Sequence, residues 1–199
     1  MKARLLLLPV AVVAGSLLGA CGNPNAVTAS IKNIDDTASV FALTGAPESG
    51  PTAVDISWPR PMRASPFASF RWDVVFDILG DTQAVAIPPA AVSAVGSAGL
   101  QPTTTPYDQI TNAPTTGYKD STAINIQAGS VFYVQSFSYQ CTQQPVVARR
   151  YMYAKMIIDS VHYFAYDPIT APSGRVIYYR MRTDPNCGFT GLETGIPSN

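Results

Sequence analysis

The stretch Phe70–Ile78 constrains the fold most. Phe70, Trp72, Val74, Phe76 and Ile78 alternate with Arg71, Asp73, Val75 and Asp77. Period-2 alternation over nine residues is the signature of a strand that turns one face to a core. The pattern predicts a strand over Phe70–Ile78, a turn at Gly80-Asp81 and a hairpin return over Gln83–Ile87. A strand like this needs partners, and shorter segments of similar character supply them. They are 38–44, 53–58, 121–127, 131–139, 150–159, 161–166 and 175–183. Trp58 falls on the face of Val54 and Ile56, with Pro59 and Pro61 ending that run. The segments 121–127 and 131–139 read as a hairpin across Ala128-Gly129-Ser130, and 161–166 with 175–183 as another. Seventeen prolines and 14 glycines punctuate the chain and leave little room for long helices. Residues 88–106 are ambiguous, and 106–111 reads as a short helix capped by Thr105. The expected fold is all-β: a β-sandwich or open barrel of about 8–9 mostly antiparallel strands.

Charge narrows the classes of function. Only 13% of residues are charged, and 13 basic residues balance 13 acidic ones. An average domain is about 25% charged. A nucleic-acid binder would show a basic face, and this composition offers none. There is also no phosphate loop, dinucleotide fingerprint or calcium-loop spacing, so no cofactor is expected.

The first 21 residues read as an address. Lys2 and Arg4 precede an apolar run, Leu5–Val13, which leads to Leu18-Gly19-Ala20-Cys21. The run is short of the roughly 20 apolar residues a membrane span requires, and its order is that of a secretory signal. The Leu-Gly-Ala-Cys string resembles the lipobox of bacterial lipoproteins. The resemblance implies signal cleavage before Cys21, a diacylglyceryl group on its sulfur and acylation of its new amino group. Several acyl chains anchor firmly where one does not. With Gly22 and not Asp after the cysteine, enteric sorting rules favour the outer membrane. The protein is thus expected in the cell envelope, anchored by lipid and facing the periplasm. Residues 22–36 are polar and aperiodic and read as a flexible tether of about 20 Å average reach, with one β-rich domain over 38–199 and Asp35-Asp36 solvated in the tether.

With Cys21 assigned to lipid, Cys141 and Cys187 remain, an even pair in an oxidising compartment. We expect a disulfide between them; two buried free thiols are the competing reading. Two cysteines and one histidine cannot complete a zinc shell, so no metal is expected. The single histidine, His162, lies two residues from Ser160. On a strand the two side chains run parallel and do not converge. Asp73 and Asp77 sit about 13 Å apart along a strand, too far for a glycosidase pair at roughly 5–10 Å. No catalytic residues are assigned.

Tyrosines are the remaining signal. Tyr133 and Tyr139 share one strand face, Tyr151 and Tyr153 another, and Tyr178 and Tyr179 are adjacent. Exposed tyrosines make efficient contact residues, so these six form a candidate binding surface. The alternative is that they pack inside a two-layer core. The segments around Ser39–Gly45, Phe70–Ile78, Tyr153–Val161 and Asp184–Phe189 are similar to a group of uncharacterised bacterial lipoproteins, a resemblance that implies no activity. The expected function is non-enzymatic: a membrane-tethered periplasmic binding or assembly module that docks on an envelope protein or membrane complex, such as an extrinsic subunit of an energy-transducing assembly. Two alternatives stand beside it. One is a carbohydrate-binding lipoprotein that stacks sugars on tyrosines and Trp58. The other is a hydrolase whose carboxylates come from separate strands.

Overall fold

In the computed structural model, residues 28–64, 71–80, 82–137, 141, 151–164 and 174–197 are described. They form ten strands: β1 (Ile34–Phe41), β2 (Ala53–Asp55), β3 (Arg60–Met62), β4 (Val74–Leu79), β5 (Gln83–Ile87), β6 (Ala98–Thr103), β7 (Ile124–Ile126), β8 (Val131–Phe137), β9 (Tyr151–His162) and β10 (Val176–Asp184). One five-stranded sheet has the order β1-β10-β9-β8-β6, and the other β3-β2-β4-β5-β7. Every pairing among these strands is antiparallel, and the sheets do not close into a barrel. The fold is a β-sandwich, with two short 3₁₀ turns at Pro89–Val92 and Tyr107–Gln109. Among the described residues no helix is long and apolar enough to cross a membrane.

The inner faces meet in one core. Phe132, Val134, Ala154, Met156, Ile158, Ile177, Tyr179 and Met181 come from the first sheet; Val54, Val74, Phe76, Ile78, Ala84 and Ala86 come from the second. The Phe76 and Tyr179 rings stack across the layers at 6.1 Å. Each large side chain buried this way contributes about 1.5–3 kcal/mol.

The alternation at 70–78 appears with a change. Both faces of β4 are buried. Val74, Phe76 and Ile78 face the other sheet, whereas Trp72 packs with Val75, Val85 and Ile87 on the far side. The two-residue period therefore breaks between Trp72 and Val74. The segment after β5 covers that far side, with Ala94 packed against it. Phe70 and Asp81 lie outside the described residues.

Several boundaries differ from expectation. The two strands expected at 150–159 and 161–166 are one, β9. It runs unbroken to His162 and pairs with β8 on one side and β10 on the other. A bulge at Tyr178/Tyr179 absorbs the irregularity at Asp159. The expected hairpin across 128–130 is a crossing between sheets, because β7 pairs with β5 and β8 with β6 and β9. Pro61 does not end a strand but sits within β3, and β6 carries Gly99 and Pro102. β3 and β6 are both sheet edges, where a missing N–H is tolerated. At Gly99 a Cβ would come within 2.8 Å of the Tyr118 side chain, so glycine allows the close Leu100–Lys119 bridge. The turn at Tyr107–Gln109 has Pro106 as its cap residue and no side-chain cap from Thr105. β1 begins at Ile34, inside the segment read as tether.

Candidate functional site

Cys21, the residue expected to carry lipid, and Tyr139 lie outside the described residues. The chain from Ser30 to Asn33 is tightly held. Asn186 accepts the backbone N–H groups of Ser30 and Ile31 at 2.9 and 3.0 Å on Oδ1, and its Nδ2 donates to the Ile31 carbonyl at 2.7 Å. Asn33 donates through Nδ2 to the carbonyls of Gly191 and Glu193, both at 2.8 Å, and through its backbone N–H to Gly195. Two asparagines thus clamp residues 30–33 to the C-terminal segment, and the tether read over 22–36 is fixed from Ser30 onward. Asp35 is not simply solvated. It pairs with Arg182 at 2.6 Å. Asp36 is half-buried beside the Tyr179 hydroxyl, and burial raises its pKa.

Cys141 and Cys187 form the expected disulfide. With Met152 they make a small buried cluster at the start of β9.

Of the tyrosines offered as a candidate binding surface, the described members are largely interior, nearer to the alternative that they are packed away. Tyr179 is fully buried in the inter-sheet core. Tyr133 and Tyr153 lie on the outer face of the first sheet, where Ile110, Ala113 and Leu192 cover them. Tyr178 is half-buried against His162, their rings 5.1 Å apart. Of the described members only Tyr151 is exposed, with its ring edge-on to Phe137. The reason is physical: the loops at 107–118 and 190–193 fold over a sheet face that the sequence leaves uncovered. Lys155 on that face is 2% exposed. It donates to the carbonyls of Tyr107 and Ile110 at 3.0 and 2.8 Å and sits 4.6 Å from the centre of the Tyr107 ring. Burial pushes its pKa down. Trp58 does not share a buried strand face with Val54 and Ile56: β2 stops at Asp55, and the turn leaves Trp58 62% exposed.

Ser160 and His162 stay on one strand, opposite Tyr178 and Val176, and nothing brings them together. Asp77 is taken up by structure, accepting from the Thr44 backbone, the Thr44 hydroxyl and the Ile78 backbone. The carboxylate that Asp73 interacts with is not Asp77 but Asp55. The β2–β4 register pairs Val54 with Val74, which brings Asp55 level with Asp73. That contact could be read from the sequence only with the strand pairing in hand. Asp73 accepts the Ser136 hydroxyl at 2.5 Å and the Ile56 N–H at 2.7 Å. Asp55 accepts the Ser57 backbone and hydroxyl. Burial first, then the Asp55 charge, pushes the Asp73 pKa up to about 7. Such a pair can share a proton, but Asp73 is only 7% exposed and both its oxygens are engaged. Asp184 is buried too, with its pKa raised to about 6 because burial outweighs two hydrogen bonds from Asn186. Among the described residues no group of three His, Cys, Asp or Glu side chains is placed to hold a metal ion.

No protein-family model matches the chain, and no curated protein matches it.

Proposed function

We propose that this protein is a lipid-anchored envelope module with a non-enzymatic binding or assembly role, docking on another envelope protein or membrane complex. The observation that carries the reading is the clamp on residues 30–33. Ser30 lies only nine residues beyond Cys21. A chain that short spans at most about 30 Å. A domain held on so short a leash presents one end to its anchor and the other surfaces to partners, as an accessory subunit requires. The test is purification of the tagged protein from native membranes in mild detergent, with mass spectrometry of what stays bound. A stoichiometric membrane-protein partner supports the assembly role. Recovery of the lipoprotein alone argues against it.

One observation favours a second reading. Asp55 and Asp73 come from separate strands and converge, although a carboxylate hydrolase needs such a pair in an open cleft and Asp73 is buried with both oxygens engaged. Hydrolysis of chromogenic glycosides or esters that disappears in Asp73→Asn, with the fold intact, would support it. For a carbohydrate reading, Trp58, Tyr151 and Phe164 are the exposed large aromatics among the described residues, and glycan arrays without hits would remove it.

A further inference from the structure

The exposed apolar side chains are not spread evenly over the sandwich. The β1–β10 register pairs Ile34 with Thr183, and β10 ends opposite Tyr153. The start of β1, the end of β10, the start of β9 and the end of β8 therefore share one end of the first sheet. Phe41 donates to the Pro51 carbonyl and Thr52 to that of Met62. The second sheet thus begins at the far end, and the β2–β3 turn points back toward the start of β1. The Ser136–Asp73–Ile56 bonds fasten that turn to the same end. This end carries Ile31 at 52% exposure, Ile34 at 39%, Trp58 at 62% and Tyr151 at 38%. Ile196, half exposed, adjoins it through the bond from Asn33 to Gly195. Lys32 and Arg60 are exposed there; Asp35 is exposed too but is paired with Arg182, Asp73 and Asp184 are buried, and Asp55 and Glu193 are half-buried.

We infer that this end of the sandwich rests on the bilayer itself. Ile31, Ile34, Ile196 and Trp58 enter the headgroup region, and Lys32 and Arg60 meet anionic phosphates. The inference rests on the lipid anchor at Cys21 proposed above. It adds a contact that the anchor alone does not require. Isoleucine and tryptophan beside exposed cations are the side chains that settle at a membrane interface. The short connection ends at this end and not at the opposite one, because Ser30 and Ile31 are bonded to Asn186 here. A lipid chain held within about 30 Å brings these residues to the surface repeatedly. Leu43, Leu79 and Phe164 are exposed at the other end and supply a control, and Val92 and Val95 are exposed on the segment between β5 and β6.

The chain has two tryptophans, and Trp72 is 4% exposed, so Trp58 is a natural depth probe. The mature protein, purified from membranes, would be placed in vesicles of phosphatidylcholine with phosphatidylglycerol. Intact mass would establish the acyl groups on Cys21. The expected result is a blue shift of Trp58 emission and loss of that emission with lipids brominated near the headgroup. The loss should vanish in Trp58→Phe, and should not reappear when Phe164→Trp is added to it. Acylated protein whose Trp58 emission is unaffected by brominated lipid overturns the interface contact and leaves the anchor standing. Protein without acyl groups overturns the anchor and this inference with it.

Discussion

At the scale of single residues, buried polar groups shape the response to pH and to truncation. Asp73 has an ordinary pKa of 3.8 when unfolded and about 7 when folded. Between those values the folded chain binds more protons than the unfolded one, so the contribution to stability is full below about pH 4 and is lost as pH rises through 7. Asp184, raised to about 6, acts in the same direction over the lower part of that window. Stability measured by urea unfolding is therefore expected to fall from pH 5 to pH 8. Asp73→Asn should flatten the upper part of the fall, since an amide can still accept from Ile56 and donate to the Ser136 oxygen. An unchanged pH profile in the variant would remove Asp73 as the cause. Asn186 makes a different contribution. Asn186→Ala leaves the Ser30 and Ile31 amides without their acceptor and the Asp184 carboxyl without its side-chain donor, although the backbone donor of residue 186 remains. The expected cost is about 1–3 kcal/mol. Limited proteolysis should show faster cleavage near residues 30–33.

At the scale of elements, the crossing between β7 and β8 is held by its backbone conformation and by β9. Gly129 has φ of +85°, and its N–H donates to the Ile158 carbonyl while Ile158 donates back to Ser130. The turn is thus pinned to β9 while it carries the chain from one sheet to the other. An L side chain in the left-handed region costs about 1–2 kcal/mol. Gly129→Ala should lower stability by that amount, and Gly129→Val by more, measured by thermal unfolding. No Cβ clash contributes, since the space beside Gly129 is open. β9 is the other organising element. As the central strand of its sheet it pairs on both sides, which makes its twelve residues the backbone of the layer.

At the scale of the whole molecule, the disulfide joins the end of the sandwich that also receives the N-terminal segment. Cys187 follows Asn186 directly, and Cys141 lies 46 residues back along the chain. Closing a loop of that length lowers the entropy of the unfolded chain by an amount worth about 4 kcal/mol at room temperature. Replacing both cysteines by serine is expected to lower unfolding free energy by about 2–4 kcal/mol, with the loss read by denaturant titration. Hydrogen exchange should quicken first around Met152 and residues 186–189, which pack on the bridge.

Local chemistry was enough to determine much of this protein. Alternation within 70–78 announces the strand that forms over Val74–Leu79, the Pro and Gly content excludes long helices, and the two cysteines after Cys21 pair with one another. Each of these follows from the period of the backbone, the φ limits of two residue types or the count of one reactive group, and none needs to know what lies nearby. The tertiary structure alone decided the rest. It put both faces of β4 in contact with other segments, turned an apparent hairpin into a crossing of sheets, and joined two apparent strands into β9. It buried Tyr133, Tyr153 and Tyr179, left Trp58 outside, and set Asp55 beside Asp73. Burial and pairing depend on which distant segment arrives at a face, and a side-chain period records that a face exists without recording what covers it.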